Sequence, residues 1–276
     1  MPEGPEIWRA AAELADVLEG QRVVHAEFTQ PHLRRYGKAL TGQLITRVDA
    51  RGKAIVSHFD SQTFLYSHNQ LYGLWYIRPA GVFPDTQRTL RVVLQTAEHN
   101  VLLYSASDIE ILDDAELALH PYLSKLGPEA LDPEVTWQDI VARLLDPGFT
   151  KRKLAALYLD QHFVAGIGNY LRSEILFNAA LHPALRPTDL TRGKLGNLAR
   201  ATLAITRRSF KTKGVTNAPA RVRQLKKQGA SYEGYRFAVF ARAGKPCYQC
   251  RAPIRRVTMS SRRLYFCPQC QPESGA

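Results

Sequence analysis

All four cysteines of the chain lie near its C-terminus, in the short motifs CYQC and CPQC. The motifs place Cys247, Cys250, Cys267 and Cys270 at the spacing C-x2-C-x16-C-x2-C. Two such knuckles can supply four thiolates to one tetrahedral Zn²⁺. Two disulfides and four free core cysteines are the alternatives, and a cytosolic protein disfavours the first. Four protein ligands leave no position for water, so the spacing predicts one structural zinc ion per chain.

The segment between the two cysteine motifs, IRRVTMSSRRLYF, predicts two strands joined by a turn at Ser260-Ser261-Arg262. Arginines at the tip of such a hairpin suit phosphate binding, because the guanidinium fork matches phosphate oxygens.

Charge is distributed very unevenly along the chain, whose formal net charge is +12. Residues 1–146 contain 13 Lys and Arg and 20 Asp and Glu, a net of −7. Residues 147–276 contain 24 Lys and Arg and 5 Asp and Glu, a net of +19. A solvated basic face is the alternative, but an excess of this size favours nucleic acid as the partner of the second half.

The elements that must position these residues change period along the chain. Residues 5–19 have apolar residues at helical spacing, and Gly20 is a natural stop for that helix. Short β-branched or aromatic segments follow, namely RVVHAEF, QLITRVDA, AIVSHF, TFLYSH, LRVVLQT and VLLYSA. They predict a β-sandwich or barrel up to about residue 115, with the opening helix packed against it.

The second half returns to a helical period after a linker predicted at residues 123–135. Thr136 and Asp139 are typical of a helix N-terminus, and three further helical segments follow. Residues 211–236 are polar, basic and without a pattern, which predicts a mobile loop. The fold class is therefore α+β, with predicted domains at residues 1–122, 136–237 and 238–272.

Composition indicates a globular protein, with 45% hydrophobic and 22% charged residues. The chain has no apolar run long enough for a transmembrane helix and no secretory signal pattern, so a cytoplasmic location without membrane association is expected.

Six motifs, in order from residue 2 to residue 270, carry a resemblance to a known family. They are PEGPE, RGKA, YSHNQLYG, YSASDIE, GIGNYLRSEIL and SSRRLYFCPQC. Together they resemble the formamidopyrimidine-DNA glycosylase/endonuclease VIII family of base-excision repair enzymes, and its endonuclease VIII branch in particular. The resemblance implies a β-sandwich, a helical domain with a helix–two-turn–helix, and a zinc-finger hairpin, with DNA in the cleft between the two halves. It also implies a monomer that acts on damaged double-stranded DNA at the nucleoid and needs no organic cofactor.

The resemblance gives Pro2 the role of covalent nucleophile. Removal of Met1 leaves Pro2 with a free secondary amine, and a chain-terminal amine has a pKa near 8 against about 10.4 for lysine. A secondary amine forms a cationic iminium with a sugar C1′, which serves as an electron sink for later elimination. The alternative is that MPEGPE only caps the first helix, with Pro5 at the helix start.

Other roles follow from the same resemblance. Glu3 matches the acid that helps open the sugar and protonates as the base leaves. Lys53 matches the lysine of proton transfer and phosphate contact in β-elimination. Gln70-Leu71-Tyr72 matches the loop that fills the gap left by an extruded base. An apolar Leu-Tyr pair in a β-protein is more often core, which is the alternative for Leu71 and Tyr72.

The resemblance also supplies candidate DNA contacts in the second half. Asn169 matches the asparagine that binds the DNA backbone near the lesion, and the glycines before it permit close approach to phosphate. Lys125 matches a basic contact of relatives, with an exposed lysine of no special role as the alternative. Arg262 matches the hairpin arginine often assigned to proton donation in δ-elimination. Because arginine is a poor acid, we expect Arg262 mainly to clamp phosphates, and Arg263 beside it departs from the family pattern.

The sequence is compatible with three functions. The first is a bifunctional glycosylase and AP lyase that removes oxidised pyrimidines and cleaves the strand by β,δ-elimination. The second is a glycosylase for oxidised purines, which QLYG disfavours because purine enzymes tend to carry a methionine-containing segment there. The third is a zinc-stabilised DNA-binding protein without chemistry, against which Pro2, Glu3 and Lys53 argue together.

Overall fold

The computed structural model describes residues 2–273. The chain forms two compact units, residues 1–125 and residues 126–276, each of which is described by itself. The first unit contains 12 Lys and Arg and 15 Asp and Glu, a net charge of −3. The second contains 25 Lys and Arg and 10 Asp and Glu, a net charge of +15. The charge asymmetry read from the sequence persists when the chain is divided at the structural boundary after residue 125.

The first unit consists of helices and short antiparallel strands. Its helices are α1 (Gly4–Leu18), α2 (Arg34–Leu40) and α3 (Asp114–Leu119). Its strands are β1 (His25–Phe28), β2 (Ile45–Arg51), β3 (Ala54–Phe59), β4 (Phe64–His68), β5 (Leu74–Pro79), β6 (Leu90–Gln95), β7 (His99–Tyr104) and β8 (Asp108–Leu112).

The strands form two antiparallel four-stranded sheets, with the orders β1-β6-β7-β5 and β2-β3-β4-β8. One hydrophobic cluster takes side chains from both sheets and from the buried face of α1. Phe28 and Leu103 come from the first sheet, Ile55 and Leu65 from the second, and Leu14 from α1. The sandwich with an opening helix, as predicted, is confirmed.

The structure contains two strands that the period-two pattern does not predict. Strand β5 reads LWYIRP and is intermediate or exposed along its whole length, so burial does not alternate along it. Strand β8 reads DIEIL and is short, with two acids among its five residues. Both are edge strands of their sheets, where one side lacks a ladder neighbour and the sequence pattern is weakest.

The second unit is mainly helical and ends in a hairpin. Its helices are α4 (Trp137–Leu145), α5 (Leu154–Leu157), α6 (Asn169–Asn178), α7 (Arg192–Lys211), α8 (Pro219–Lys227) and α9 (Tyr232–Arg236). Its strands are β9 (Arg255–Met259) and β10 (Arg262–Phe266). Buried residues of α4, α5, α6 and α7 share one core with Leu264 and Phe266 of β10. Thr136 caps α4 by accepting from the N–H of Asp139 at 3.4 Å.

The prediction of a mobile loop at residues 211–236 is wrong. Helix α7 extends to Lys211, and helices α8 and α9 occupy much of the remaining segment. Neither α8 nor α9 buries a residue, and the pair Val222 and Leu225 in α8 is too short an apolar pattern to predict a helix from the sequence. Their order comes from polar contacts instead.

The segment predicted as linker is divided between the units. The first unit ends at Lys125, and residues 126–135 pack on the second. The Arg207 guanidinium donates to the carbonyls of Ala130, Asp132 and Val135, at 3.1, 3.0 and 2.8 Å.

Within residues 2–273 no helix combines the length and the apolar character needed to cross a membrane.

Candidate active site and metal centre

The N-terminal segment PEGPE is fixed by the start of α1. Glu3 is the N-cap of the helix, only 3% exposed, and its N–H donates to Glu6 Oε2 at 3.0 Å. Arg9 in turn holds Glu6 at 3.2 Å. Pro5 lies in the first turn, where a missing N–H removes no helical bond. The segment does cap the helix, and the same cap gives the backbone of Pro2 and Glu3 a defined course.

Lys53 lies at the tip of the hairpin that joins β2 and β3. The last ladder pair is Arg51 with Ala54, so Gly52 and Lys53 form a two-residue turn. Gly52 has φ of 62°, a left-handed value that suits glycine at the first turn position. The N–H of Lys53 points away from the ladder and donates to the Tyr122 hydroxyl at 2.8 Å. Lys53 is half-buried and is held at a defined place by its backbone.

The loop that contains Gln70-Leu71-Tyr72 joins β4 to β5 and so passes from one sheet to the other. It is closed by a bond from the N–H of Gly73 to the carbonyl of Asn69 at 2.7 Å. A Cβ at Gly73 would lie 2.6 Å from that carbonyl oxygen, so only glycine fits there. Leu71 is 51% exposed and Tyr72 is 66% exposed, which excludes the alternative that this pair belongs to the core.

His68 connects this loop to the lysine turn. Its Nδ1 accepts from the N–H of Gln70 at 3.0 Å, and its backbone pairs with Ala54, the residue after Lys53. Burial lowers the pKa of His68, the Asp108 carboxylate opposes that shift, and the positive charge of Lys53 adds to it. The motif YSHNQLYG contains His68, but nothing in the sequence pattern assigns it this linking position.

Lys125 is the exposed last residue of a 3₁₀ turn, Leu123–Lys125, at the end of the first unit. Its position does not distinguish a DNA contact from an ordinary surface lysine, so its role stays a prediction.

In the second unit, Asn169 is the first residue of α6 and follows the glycines Gly166 and Gly168. Gly166 has φ of 82°, which requires glycine. The Oδ1 of Asn169 accepts from the Arg172 guanidinium at 2.7 Å. Arg172 is fully buried and donates also to the carbonyls of Ala155 at 2.7 Å and Arg263 at 3.2 Å. Arg172 therefore ties Asn169 to the hairpin strand β10, a link that the sequence does not reveal.

The hairpin of β9 and β10 turns at Ser260 and Ser261, whose φ values are 53° and 58°. Both left-handed values fit a type I′ turn, which matches the twist of the strands. Arg262 pairs with Met259 directly after the turn, and Arg263 follows it. Both arginines are exposed, and successive strand residues point to opposite faces. Arg262 shares its face with Leu264, so the two arginines serve different sides of the hairpin.

The four cysteines converge at one point. Their sulfur atoms all lie within 4.8 Å of one another, and none of the four is disulfide-bonded. Cys247 and Cys270 have sulfurs 3.8 Å apart, and Cys250 and Cys267 have sulfurs 3.3 Å apart. Tetrahedral zinc with Zn–S bonds of about 2.3 Å needs sulfurs about 3.8 Å apart, so this donor set fits the ion. The N–H groups of Gln249 and Cys270 point at Cys247 Sγ and Cys267 Sγ, each at 3.4 Å.

This cysteine cluster is the metal centre predicted from the sequence. The match to a zinc-finger family and the convergence of four thiolates support one structural zinc with all four ligands from the protein, and the sulfur separations do not fit the alternative of two disulfides. The ion would bind the start of the module to its end, because the two cysteine motifs flank β9 and β10.

Three family models match successive parts of the chain. They are the formamidopyrimidine-DNA glycosylase N-terminal domain at residues 1–107, the formamidopyrimidine-DNA glycosylase H2TH domain at residues 126–219, and the zinc finger found in FPG and IleRS at residues 244–272. Among solved structures, the Lactococcus lactis Fpg in complex with abasic-site DNA has a TM-score of 0.80 at 21% identity, covering 98% of this chain and 100% of that one. MutM in complex with carbocyclic 8-oxo-G DNA has a TM-score of 0.80 at 22% identity, with 99% and 100% covered. These likenesses show the fold.

Curated relatives match over nearly the full length. Endonuclease 8 of Salmonella arizonae is 45% identical over 271 residues, which cover 98% of this chain and 100% of the relative. Endonuclease 8 of Escherichia coli is 46% identical over the same length and coverage. The chain therefore belongs to the formamidopyrimidine-DNA glycosylase/endonuclease VIII family of DNA repair glycosylases.

Proposed function

We propose that this chain is a bifunctional DNA glycosylase and AP lyase that removes oxidised pyrimidines from double-stranded DNA as a monomer. The observation that carries the proposal is the arrangement at the start of α1. A proline at position 2 precedes a carboxylate that is buried at a helix N-terminus and held by the helix cap. This placement suits a nucleophile and an acid that must act on the same sugar.

The first steps use Pro2 and Glu3. In a chain that begins at Pro2, the secondary amine attacks C1′ of the sugar, and the N–C1′ bond forms as the bond from C1′ to the base breaks. Glu3 gives its proton as the base departs, takes up the proton that the amine loses, and gives it to the ring oxygen as the sugar opens, which leaves a cationic iminium. Glu3 supplies the proton that ring opening and base departure require, a task for which general acid catalysis is typically worth about 10²–10⁴-fold. The scheme requires removal of Met1, because an amide nitrogen is not a nucleophile.

Strand cleavage then follows from the iminium. A proton leaves C2′ and the C3′–O bond breaks in β-elimination, after which a proton leaves C4′ and the C5′–O bond breaks in δ-elimination. Lys53, whose backbone N–H is bonded to the Tyr122 hydroxyl, would carry protons and contact the leaving phosphate. Arg262, at the exposed tip of the zinc hairpin, would clamp a phosphate and so stabilise charge on it.

The exposed loop supports action on a base that is extruded from the duplex. Leu71 and Tyr72 project into solvent on a closed five-residue loop, as side chains must if they are to fill the space of an extruded base. Gln70 at its start carries an amide that can hydrogen-bond an unpaired opposite base. Oxidised pyrimidines are proposed because the QLYG segment lacks the methionine-containing pattern of purine enzymes, and oxidised purines are the competing substrates.

The deciding experiment is borohydride trapping on duplexes that carry thymine glycol, dihydrouracil or 8-oxoguanine. We expect covalent trapping on the two pyrimidine lesions, and mass spectrometry should place the DNA on Pro2. Preferential trapping on 8-oxoguanine would favour the purine enzyme instead. Binding without any trapped product, with a chain whose terminus is proven to be Pro2, would leave only a DNA-binding protein.

A second part of the test concerns the identity of the nucleophile. A Pro2→Gly variant keeps a terminal amine but makes it primary, so it separates secondary-amine chemistry from the mere presence of an amine. An adduct on Lys53, together with full activity of Pro2→Gly, would refute the role proposed for Pro2.

A further inference from the structure

Helix α8 is a mainly polar helix that the protein holds in place without fully burying any of its residues. It reads PARVRQLKK, and none of its residues is buried. The charged residues of the surrounding stretch are all basic, since residues 190–232 contain 11 Lys and Arg and no Asp or Glu. Its larger apolar residues, Val222 and Leu225, are only half-buried, so α8 gains little from a hydrophobic core and other contacts must keep it ordered.

The first of these contacts is a single buried carboxylate. Glu174, 2% exposed on α6, accepts from the Thr216 hydroxyl at 2.5 Å on one side of the segment. On the other side it accepts from the N–H groups of Ala238, Val239 and Phe240, at 2.9, 2.8 and 2.8 Å. One side chain thus closes both ends of the segment 217–237, which contains α8 and α9.

The second contact joins α8 to the zinc module. The Arg221 guanidinium donates to the carbonyl of Tyr248, which lies between Cys247 and Cys250, at 3.1 Å. The same guanidinium lies 5.1 Å from the centre of the Tyr248 ring. Arg221 is therefore used to fasten the helix rather than to present charge.

Three cations of α8 face solvent after these contacts are made, namely Arg223, Lys226 and Lys227. Lys226 lies over the Tyr235 ring at 4.8 Å, and each of the three keeps an exposed side chain. A buried carboxylate and an arginine hold the helix. The nearest acid along the chain, Glu233 of α9, lies 3.6 Å from the Arg236 guanidinium, so it is paired with a cation outside α8. Mutual repulsion among these cations disfavours such a surface unless an anion balances it.

We propose that α8 is an additional phosphate-binding surface, on which Arg223, Lys226 and Lys227 contact the backbone of duplex DNA that flanks the lesion. The proposal rests on the DNA-binding part of the proposed function, but it does not depend on the chemistry at Pro2. Each cation that neutralises a phosphate releases condensed counterions, so the contacts should appear in the salt dependence of affinity. They should act alike on damaged and intact duplexes, because the phosphate backbone carries no lesion.

The chain supplies a matched control on α2. Arg34, Arg35 and Lys38 are also three exposed cations on one helix, and Arg35 lies 4.8 Å from the centre of the Tyr36 ring. The variants R223Q/K226Q/K227Q and R34Q/R35Q/K38Q therefore change the net charge equally and each remove one cation from a tyrosine ring. Glutamine keeps nearly the helix propensity of lysine and arginine, so both helices should persist.

The measurement is the affinity of the full-length, zinc-loaded protein for an undamaged duplex and for a duplex with a tetrahydrofuran abasic analogue, across a series of KCl concentrations. For the α8 variant we expect the log–log salt slope to fall by about 1.8 to 2.7 on both duplexes, which corresponds to two or three phosphate contacts. The α2 variant should change the slope by less than about 0.5, since it alters only long-range attraction. Unfolding midpoints of the two variants should match the unmodified protein, because neither triple removes a buried side chain.

Equal slope changes in the two triple variants would overturn the proposal, because they would show only an effect of net charge. An unchanged slope in the α8 variant would identify the helix as a solvated basic face and overturn it also. The outcome is separable from the trapping experiment. If the α8 variant shows the expected fall in salt slope but the unmodified protein gives no trapped product, only the proposed chemistry is rejected. If the unmodified protein is trapped but the α8 variant keeps its salt slope, only the α8 surface is rejected.

Discussion

The two units of the chain hold their candidate site residues by different means. In the first unit, a helix cap, a two-residue turn and a closed five-residue loop place Glu3, Lys53 and Leu71 through backbone geometry. In the second unit, buried charged side chains do this work, with Arg172 holding Asn169 and Glu174 holding the segment that contains α8. The first unit has a net charge of −3 and the second of +15.

The two units are therefore sensitive to different kinds of substitution. The helix cap, the turn and the closed loop fix the backbone at each position whichever side chain it carries. We therefore expect that the reactive side chains of the first unit can be replaced without loss of the fold. Buried charges bind several partners at once, so a single substitution in the second unit disturbs several contacts.

The largest effect is expected at Glu3. The variant Glu3→Gln should fold normally and lose base excision by about 10²–10⁴-fold, because the amide cannot supply the proton needed as the base leaves. Cleavage of a preformed abasic site should persist to a substantial degree, since no base has to depart. Single-turnover assays on a thymine glycol duplex and on an abasic duplex give the two rates. Glu13→Gln, an exposed change on the same helix, is the control. Equal loss on both substrates would contradict the role given to Glu3.

The zinc module should show the next largest effect, confined to the second unit. Cys250→Ser removes one of four ligands, so metal analysis should find well under one zinc per chain and DNA binding should fall sharply. Chelation of the unmodified protein should disorder the hairpin and the Tyr248 contact of Arg221, because small metal modules depend on the ion for stability. The sandwich core takes all its side chains from the first unit and should remain. A Cys250→Ser protein with full zinc content would rule out the four-thiolate site.

Much of the fold could be predicted because its signals are local. The cysteine spacing, the alternating strands and the start of α1 at PEGPE all depend on residues close together in sequence. The structure confirms the sandwich, the helical domain and the zinc module. Helices α8 and α9 could not be predicted, because their order depends on Glu174, which is 64 residues before Ala238 in sequence.

The candidate site divides in the same way. Pro2, Glu3, Lys53 and Gln70 stand in short motifs, so their positions could be named, although their roles stay predictions. His68, Arg172 and Glu174 could not be singled out, since each acts through partners that only the fold supplies. The bond from Arg172 to the carbonyl of Arg263 spans 91 residues. A mid-helix arginine gives no sign in the sequence that it will be fully buried.

Arg172 tests whether the buried charged side chains of the second unit are the positions where a substitution lowers stability most. Arg172→Met keeps an apolar stem of similar length but leaves the carbonyls of Ala155 and Arg263 and the Asn169 side chain without their donor. An unsatisfied buried polar group costs about 1–3 kcal/mol, so unfolding in denaturant should show a loss of at least about 2 kcal/mol. Affinity for damaged and intact duplexes should fall together. Arg192→Met, at an exposed position of α7, should change stability by less than about 0.5 kcal/mol. Equal stability of the two variants would show that the buried charge is not a weak point.

The smallest expected effect concerns the pKa of His68. This pKa depends on where the two-residue turn of Gly52 and Lys53 holds the lysine side chain. Burial lowers the pKa of His68, Asp108 raises it and Lys53 lowers it, so the imidazole should titrate below its ordinary value of about 6.5. A histidine whose folded pKa is depressed favours the neutral folded form. Its contribution to stability is present above the unfolded pKa and is lost as pH falls through the folded pKa.

Lys53→Gln removes the neighbouring positive charge and should raise the pKa of His68 by a few tenths of a unit, whereas Asp108→Asn should lower it. The measurement is an NMR titration of the histidine ring protons, with His68→Asn to identify the resonance among the 8 histidines. If Lys53→Gln leaves the pKa of His68 unmoved while Asp108→Asn shifts it, the lysine side chain does not lie where the turn places it, and the first unit would fix only the backbone at that position.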